Sequence, residues 1–413
     1  MQIDSGATAW VLVSAALVLF MTPGLAFFYG GMVRAKNVLG MLMQNFFAMG
    51  LISILWAVVG FSLAFGGRGK WIGNFDFAFL KGLGKVTELP GYTGDFAIAI
   101  PALAFVAYQM MFAVITPALI TGATADRLKF GAYAIFIGLW AIIVYPTVAH
   151  WVFSPNGFLF KGGALDFAGG AVVHINAGAA ALALVLILKP RRNWPREAMP
   201  PHSLPLTMLG TGILWFGWFG FNAGSALGAN GLAAQALVNT HLAAASAMLS
   251  WLVIEKLHAG HATTLGAASG AVAGLVAITP CAGFVGGISP ILIGFAAGIV
   301  CYLALKLKAR FKFDDSLDVI AVHLVGGLLG SLLLGLFADT AVNALGHDGL
   351  FLGGGAELLW NQLRACLFTF GFSFVASYAI GIGLDRTIGL RVSTEEELIG
   401  LDQSQHAETA YQS

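Results

Sequence analysis

The sequence predicts an all-α polytopic membrane protein, and three observations carry that prediction. Of 413 residues, 58% are hydrophobic and only 10% are charged, where a soluble domain holds about 25% charged residues. The apolar residues gather in eleven stretches, each long enough as a helix to cross a hydrocarbon core of about 30 Å. The segments between them divide their basic residues unequally. Taken alternately, one side holds fifteen of the 21 Lys and Arg and the other holds five, with Arg364 inside the last stretch. Cytoplasmic loops carry such an excess, so the N-terminus is expected outside and the C-terminus inside a cell (plasma or inner) membrane.

The elements follow in order. The first stretch, 7–30, is preceded by Met1 to Ser5, which carry Asp4 and no Lys or Arg. That is not the basic n-region of a signal peptide, so the stretch is expected to be a retained span. Stretches 38–65, 96–121 and 130–151 come next, and Pro23, Pro101, Pro117 and Pro146 are expected to kink or offset spans. The fifth is 166–188, after which the Pro-rich segment 189–203 joins two halves. The second half reads 204–224, 232–257, 264–281, 287–307 and 318–337, and a final stretch covers 357–384. The transmembrane domain is therefore 1–384, with repeat one at 7–188, repeat two at 204–337 and helix eleven at 357–384. The polar tail 385–413 contains Glu395, Glu396 and Glu397 and reads either as a solvated surface element or as a regulatory docking element.

Two halves are inferred from an echo. Asp166 is followed eight positions later by His174, and Asp315 is followed eight positions later by His323, with Ala and Val around the final step. A carboxylate suits a helix N-terminus, where unpaired N–H groups and the helix dipole favour negative charge. Eight helical residues rise about 12 Å and half a hydrocarbon core is about 15 Å, so each His is expected near the bilayer midplane. The two His are 149 residues apart, which fits five spans repeated. An odd number per repeat inverts the second copy, a plan in which the site lies between the halves. A weaker echo runs from Phe28 to Asn37 and from Phe221 to Asn230.

Ionisable residues inside a membrane are functional candidates, and two in echoing positions are stronger than one. Imidazoles exchange hydrogen bonds without a permanent charge, so His174 and His323 suit a polar lining for a small neutral solute, or a proton passed between rings. No third and fourth ligand lies at usable spacing, so no metal is expected. Cys281, Cys301 and Cys366 fit neither a disulfide framework nor a zinc pattern and read as core packing. No basic patch suggests nucleic acid. No nucleotide loop, nucleophile motif or potassium-filter sequence occurs, so neither a cofactor nor an enzyme is expected. His150, His202, His258, His261, His347 and His406 fall in or near loops and read as solvated, while His241 reads as helix packing with a hydrogen bond. Arg364 is seven residues after Glu357 on one face and reads as its partner.

A second constellation is aromatic. Trp215, Phe216, Trp218, Phe219 and Phe221 precede Asn222 and Ser225. Phe112 lies in the third stretch, and Trp151 and Phe153 lie at the end of the fourth. Such rings read as an interfacial belt or as a cation site, since ring faces attract cations and a Ser hydroxyl accepts a hydrogen bond.

These residues resemble the ammonium transporters of the Amt/Mep/Rh family, nearer the bacterial and archaeal Amt branch. The resemblance is carried by Asp166 to Gly170 with Val173 to Asn176, by Gly217 to Ser225, by Val322-His323, by Phe28 to Gly31, by Arg34 to Asn37 and by the tail from Gly389. It implies ammonium/ammonia transport by a homotrimer of eleven-span protomers, each with its own pore. It implies an outer recruitment site at Phe112 and Ser225 and a phenyl gate of Phe112 and Phe221. Trp218 would line the lumen, His174 and His323 would form the twin-His pair, and Asp166 would hold the vestibule without touching substrate. Where the family has a Trp after the fourth span this chain has Phe153, a weaker cation partner, so either the recruitment site is weaker here or Trp151 partly compensates. The resemblance also implies a cytoplasmic P-II regulatory protein as partner, at residues 306–314 and the tail. Transport is set against two alternatives. One is an ammonium sensor signalling through a cytoplasmic partner, disfavoured by the short tail. The other is a membrane enzyme, which lacks a nucleophile, a metal set and a cofactor motif.

Overall fold

The computed structural model describes residues 2–85 and 88–411. Among them there is no β-strand, only an isolated bridge between Leu128 and Arg391. Ten helices are long and apolar enough to cross a membrane. They are α1 (Ser5–Met32), α2 (Ala35–Phe65), α3 (Ala102–Thr124), α4 (Phe130–Val152), α5 (Gly170–Leu188), α6 (Leu204–Ala226), α7 (Gly231–Ala259), α9 (Ser289–Phe311), α10 (Ile320–Phe337) and α11 (Glu357–Thr387). The expected eighth span is a shorter apolar helix, α8 (Thr264–Ile278), continued by a turn through Cys281.

Local chemistry moves the helix ends away from the hydropathy boundaries. The third stretch is expected from residue 96, but α3 starts at Ala102 because Pro101 sits in an extended conformation as its N-cap, and Pro disfavours helix in the residue before it. The fifth is expected from Asp166, yet α5 starts at Gly170, because Asp166 caps the helix from outside. In the fourth, the regular helix breaks at Val144, just before Pro146. The ring lacks an N–H and crowds the preceding turn.

α1 packs along α6, α7 packs against α8 and α9, and α11 lies on α5. α5 and α10 cross at the centre. A Cβ added at Gly178 would lie 2.6 Å from Leu324 Cβ, and one at Gly327 would lie 3.0 Å from His174 Cβ. Only glycine permits that approach, which brings the His-bearing turns together.

Charges collect at the face that carries the tail. Asp126 pairs with Arg34 at 3.0 Å and Arg191 at 3.3 Å, and Arg191 also pairs with Asp314 at 2.8 Å. Asp314 is fully buried. The tail forms α12 (Thr394–Ile399) and α13 (Leu401–His406) and is docked rather than solvated. Glu397 pairs with Arg391 at 2.8 Å, Asp402 accepts the Gly40 N–H at 2.8 Å, and Asn37 joins Asp126 to the Leu401 N–H.

Three further expectations are corrected. Arg364 does not reach Glu357; it donates to the Gly162 carbonyl at 2.6 Å. Seven residues are about 10 Å of helix rise, further than the nearby carbonyl. His150 is fully buried, its Nδ1 2.7 Å from Ala64 O and its Nε2 2.6 Å from Gly69 O, because segment 66–74 folds over the end of α4. His241 is on the exposed face of α7, against the rings of Trp215 and Phe219, without a hydrogen bond. The three cysteines are buried and free.

Candidate functional site

Asp166 sets the outer end of the site. Its Oδ1 accepts the N–H groups of Gly169 at 2.8 Å and Gly170 at 2.7 Å, and its Oδ2 accepts those of Ala171 at 2.8 Å and Val172 at 3.2 Å. All four free donors of the helix start are thereby used. The cap requires Gly169 at φ +120°, a backbone conformation open to glycine. Asp315 does the same for α10, accepting from Val319 at 3.1 Å and Ile320 at 2.7 Å.

Both capped helices open with a π-helical turn, Gly170–Ile175 and Ile320–Val325, a widened turn that often marks a functional position. Each turn carries a predicted His. The Nδ1 atoms of His174 and His323 are 3.2 Å apart, and the rings stack with centroids 5.3 Å apart and planes at 25°. Both are almost wholly buried. His174 Nε2 has no hydrogen-bond partner.

The aromatic residues stack above this pair. Phe221 lies 6.1 Å from the His174 ring, and Phe112 lies 4.3 Å from Phe221 at an interplanar angle of 34°. Phe153 stands edge-on to Phe112 at 6.5 Å and 89°. Trp218 lies beside His174 at 5.5 Å, nearly parallel, and its indole N–H donates to Thr279 Oγ1 at 2.9 Å. Trp151 does not supplement Phe153. Its N–H is bound to the Trp71 carbonyl at 2.6 Å, its ring packs on Phe158 and Phe372, and it is not part of the outer cavity.

Ser225 has its donor committed and its acceptor free. Tyr108 Oη lies 2.9 Å from Gly220 O and 2.8 Å from Phe221 O, so its single O–H is spent on those carbonyls. Ser225 Oγ lies 2.9 Å from Phe221 O and 3.1 Å from Tyr108 Oη, so its proton goes to one of them. Its remaining lone pairs can accept from a bound cation.

Two cavities flank the phenyl stack. The outer one, of about 580 Å³, is lined by residues that include Phe112, Phe153, Ser225, Asp4, Asp95 and Asp166. No Lys, Arg or His lines it among the described residues. The inner one, of about 10 Å³, lies around His174 and His323 and is otherwise bounded by apolar and aromatic side chains. It has room for about one water-sized molecule. Sequence reasoning missed Gln109, which lines the outer cavity; a lone Gln in an apolar run carries no periodic or motif signal. Among the described residues no group of three or more His, Cys, Asp or Glu could hold a metal.

Comparison with known proteins follows this geometry. A model of the Ammonium Transporter Family matches residues 9–411. The chain is 51% identical to an ammonium transporter of Mycobacterium tuberculosis, covering 99% of this chain and 90% of that one. It is 46% identical to an ammonium transporter of Bacillus subtilis, covering 98% of each. The solved structure of Saccharomyces cerevisiae Mep2 superposes with a TM-score of 0.88 at 35% identity, over 96% of this chain and 89% of that one. A protein named Sensor Amt Protein also superposes at 0.88, with 30% identity over 97% and 98%.

Proposed function

The chain belongs to the ammonium transporter family as a multi-pass membrane protein, and from that premise we propose how it moves its substrate. Ammonium is recruited between Phe112, Phe153 and Ser225. It loses its proton near the Phe112–Phe221 pair, and ammonia then passes His174 and His323 and regains a proton on the inner side. The observation that carries this reading is the His pair at 3.2 Å in a cavity of about 10 Å³ with otherwise apolar walls. A cation mid-membrane costs about 2.5–3.5 kcal/mol on moderate scales and more on others. Cation–π contact returns about 0.5–2 kcal/mol, which suffices for recruitment and not for passage. Neutral ammonia escapes that cost, and the imidazoles give it hydrogen bonds without a fixed charge.

The same proposal takes α8 and the turn after it as the eighth of eleven crossings, in two inverted five-helix repeats. The N-terminus is placed outside and the docked tail inside, on the strength of the loop charges. The family likeness supports a trimer and a P-II regulatory partner at the tail face. It also supports a second reading as an ammonium sensor, which the likeness to the Sensor Amt Protein favours. Uptake of labelled methylammonium into proteoliposomes, recorded together with current, tests the proposal. Uptake is expected for a transporter, and binding without uptake would replace transport with the sensor reading.

A further inference from the structure

We propose that Arg364 and Lys161 hold the phosphate of an anionic phospholipid at the rim of the membrane, at a site apart from the His pair and independent of the transport reading. Arg364 is a cation within a membrane-spanning helix, where ionisable side chains are rare and normally paired. Among the described residues it forms no ion pair. A guanidinium has five N–H donors, and the one that is used goes from Nη2 to the Gly162 carbonyl at 2.6 Å. Nε has no partner, and the residue is partly exposed. One carbonyl does not neutralise a full charge. A Cβ added at Gly162 would collide with Arg364 Nη2, so glycine lets the guanidinium lie against the chain beside Lys161. Lys161 is exposed and likewise forms no ion pair among the described residues.

Depth and surroundings identify the occupant. α11 has 31 residues, about 46 Å of helix, against a hydrocarbon core of about 30 Å. Centred, it overhangs the core by about 8 Å at each end. Arg364 is about 10 Å along from Glu357, so its backbone sits at the edge of the hydrocarbon and its long stem carries the charge to headgroup level. The helix face around it suits acyl chains. Trp360, Leu367 and Phe368, within one turn of Arg364 on the same face, are 61%, 59% and 45% exposed. Deeper on that face a Cβ added at Gly371 would meet nothing within 4 Å, and Val375 is 65% exposed. The missing side chain at Gly371 leaves a shallow gap for a chain between Phe368 and Val375, while Trp360 sits at the interface as tryptophans do. A lipid phosphate above such chains brings negative charge to the depth of the guanidinium. Arg takes phosphate through two parallel N–H bonds and Lys takes it as a point charge. Two cations with no paired acid favour a headgroup of net negative charge over one that carries its own ammonium.

Native mass spectrometry of the full-length protein, with dioleoyl phosphatidylglycerol and dioleoyl phosphatidylcholine added separately, reads the affinity of the retained lipid. The parent should hold phosphatidylglycerol about tenfold or more tightly than phosphatidylcholine. Arg364→Met should weaken phosphatidylglycerol by that factor and leave phosphatidylcholine near the parental value. Arg364→Lys keeps the charge and loses the paired geometry, so it should lie between. Lys161→Met should weaken phosphatidylglycerol about fivefold. Equal retention of the two lipids by the parent marks annular contact only and overturns the proposal. An unchanged affinity for phosphatidylglycerol in R364M overturns it too, as does an equal loss in R364M and R364K, which marks the Gly162 contact as packing. If R364M fails to fold, K161M decides, and a parental lipid preference there overturns the proposal. Inorganic phosphate lacks the chains that the face beside Arg364 receives and should not displace the lipid; displacement places the site in water and overturns the proposal. Methylammonium uptake is not read by this experiment, so a failure here leaves the transport reading standing.

Discussion

His174 Nδ1 and His323 Nδ1 face each other at 3.2 Å, each on the opening turn of a helix whose N-terminus a carboxylate has capped. A contact between two ring nitrogens is a hydrogen bond only when one of them carries the proton and the other accepts it. The two imidazoles are therefore one unit.

Removing either ring should do about as much as removing both. Groups that act together show strongly non-additive losses, and residues in contact couple by about 0.5–3 kcal/mol. His174→Leu, His323→Leu and the double variant are expected to change methylammonium flux or ion discrimination by similar factors, about tenfold or more. Parental flux and parental current selectivity in the double variant would count against a working pair.

Phe153 is the outermost ring of the stack, edge-on to Phe112. Trp is the best ring partner for a cation, and at a partly exposed site the interaction is worth about 0.5–1 kcal/mol. Phe153→Trp is therefore expected to lower KM for ammonium about two- to fivefold, and Phe153→Leu to raise it by a similar factor. Trp151 cannot make up the difference, since its indole is held by Trp71; Trp151→Phe should leave KM near the parental value.

Asp166 acts by holding the helix start. Asn in its place has one acceptor oxygen for four N–H groups, and its NH₂ opposes the donors it would face. Buried donors left without partners cost about 1–3 kcal/mol, so Asp166→Asn should lower the thermal unfolding temperature in detergent by a few degrees. Flux should fall with it, because His174 rides on the turn that Asp166 caps. Asp166→Glu, whose longer side chain keeps the charge but not the geometry, should recover only part of the stability. An unfolding temperature equal to the parent's would show that the four N–H groups find other partners.

Much of this site was legible in the chain, and the parts that were not share a cause. The Asp-to-His spacing exposed both helix caps and both imidazoles, because a cap and a ring eight residues on are related by helix rise alone. The phenyl pair was legible through the likeness around Phe221 and Ser225. His150 reads as solvated from its place near a loop and is buried, since nothing in residues 66–74 announces that they close over it. Helical face points Arg364 to Glu357, while the carbonyl it reaches comes from a loop 202 positions away.

The docked tail carries a pH dependence whose sign can be worked out. The carboxyl of Asp402 is 2% exposed. Burial pushes it above the ordinary value of 3.8, against the N–H groups of Gly40, Leu39 and Val38 and the charge of His406, which lower it. A carboxyl whose value is raised on docking binds its proton more tightly docked than free. Its contribution to docking is therefore fully present below 3.8 and is lost as pH rises through the docked value. Asp314 runs the other way. Burial opposes its charge, but the hydrogen bonds and charges of Arg191 and Arg127 outweigh burial and hold it below 3.8. Its contribution is present above 3.8 and is lost only as pH falls through its lowered value. As pH rises from 3.8 through the docked value of Asp402, then, the tail helix α13 should loosen while the Arg191–Asp314 pair stays intact. Hydrogen-exchange protection of the Leu401 amide, which is bound to Asn37, should fall over that range in the parent. Asp402→Asn, neutral throughout, should reduce the fall and leave α13 docked at pH 7 at least as firmly. Weaker protection in that variant at pH 7 would mean that the ionised carboxylate at the start of α2 outweighs its burial cost.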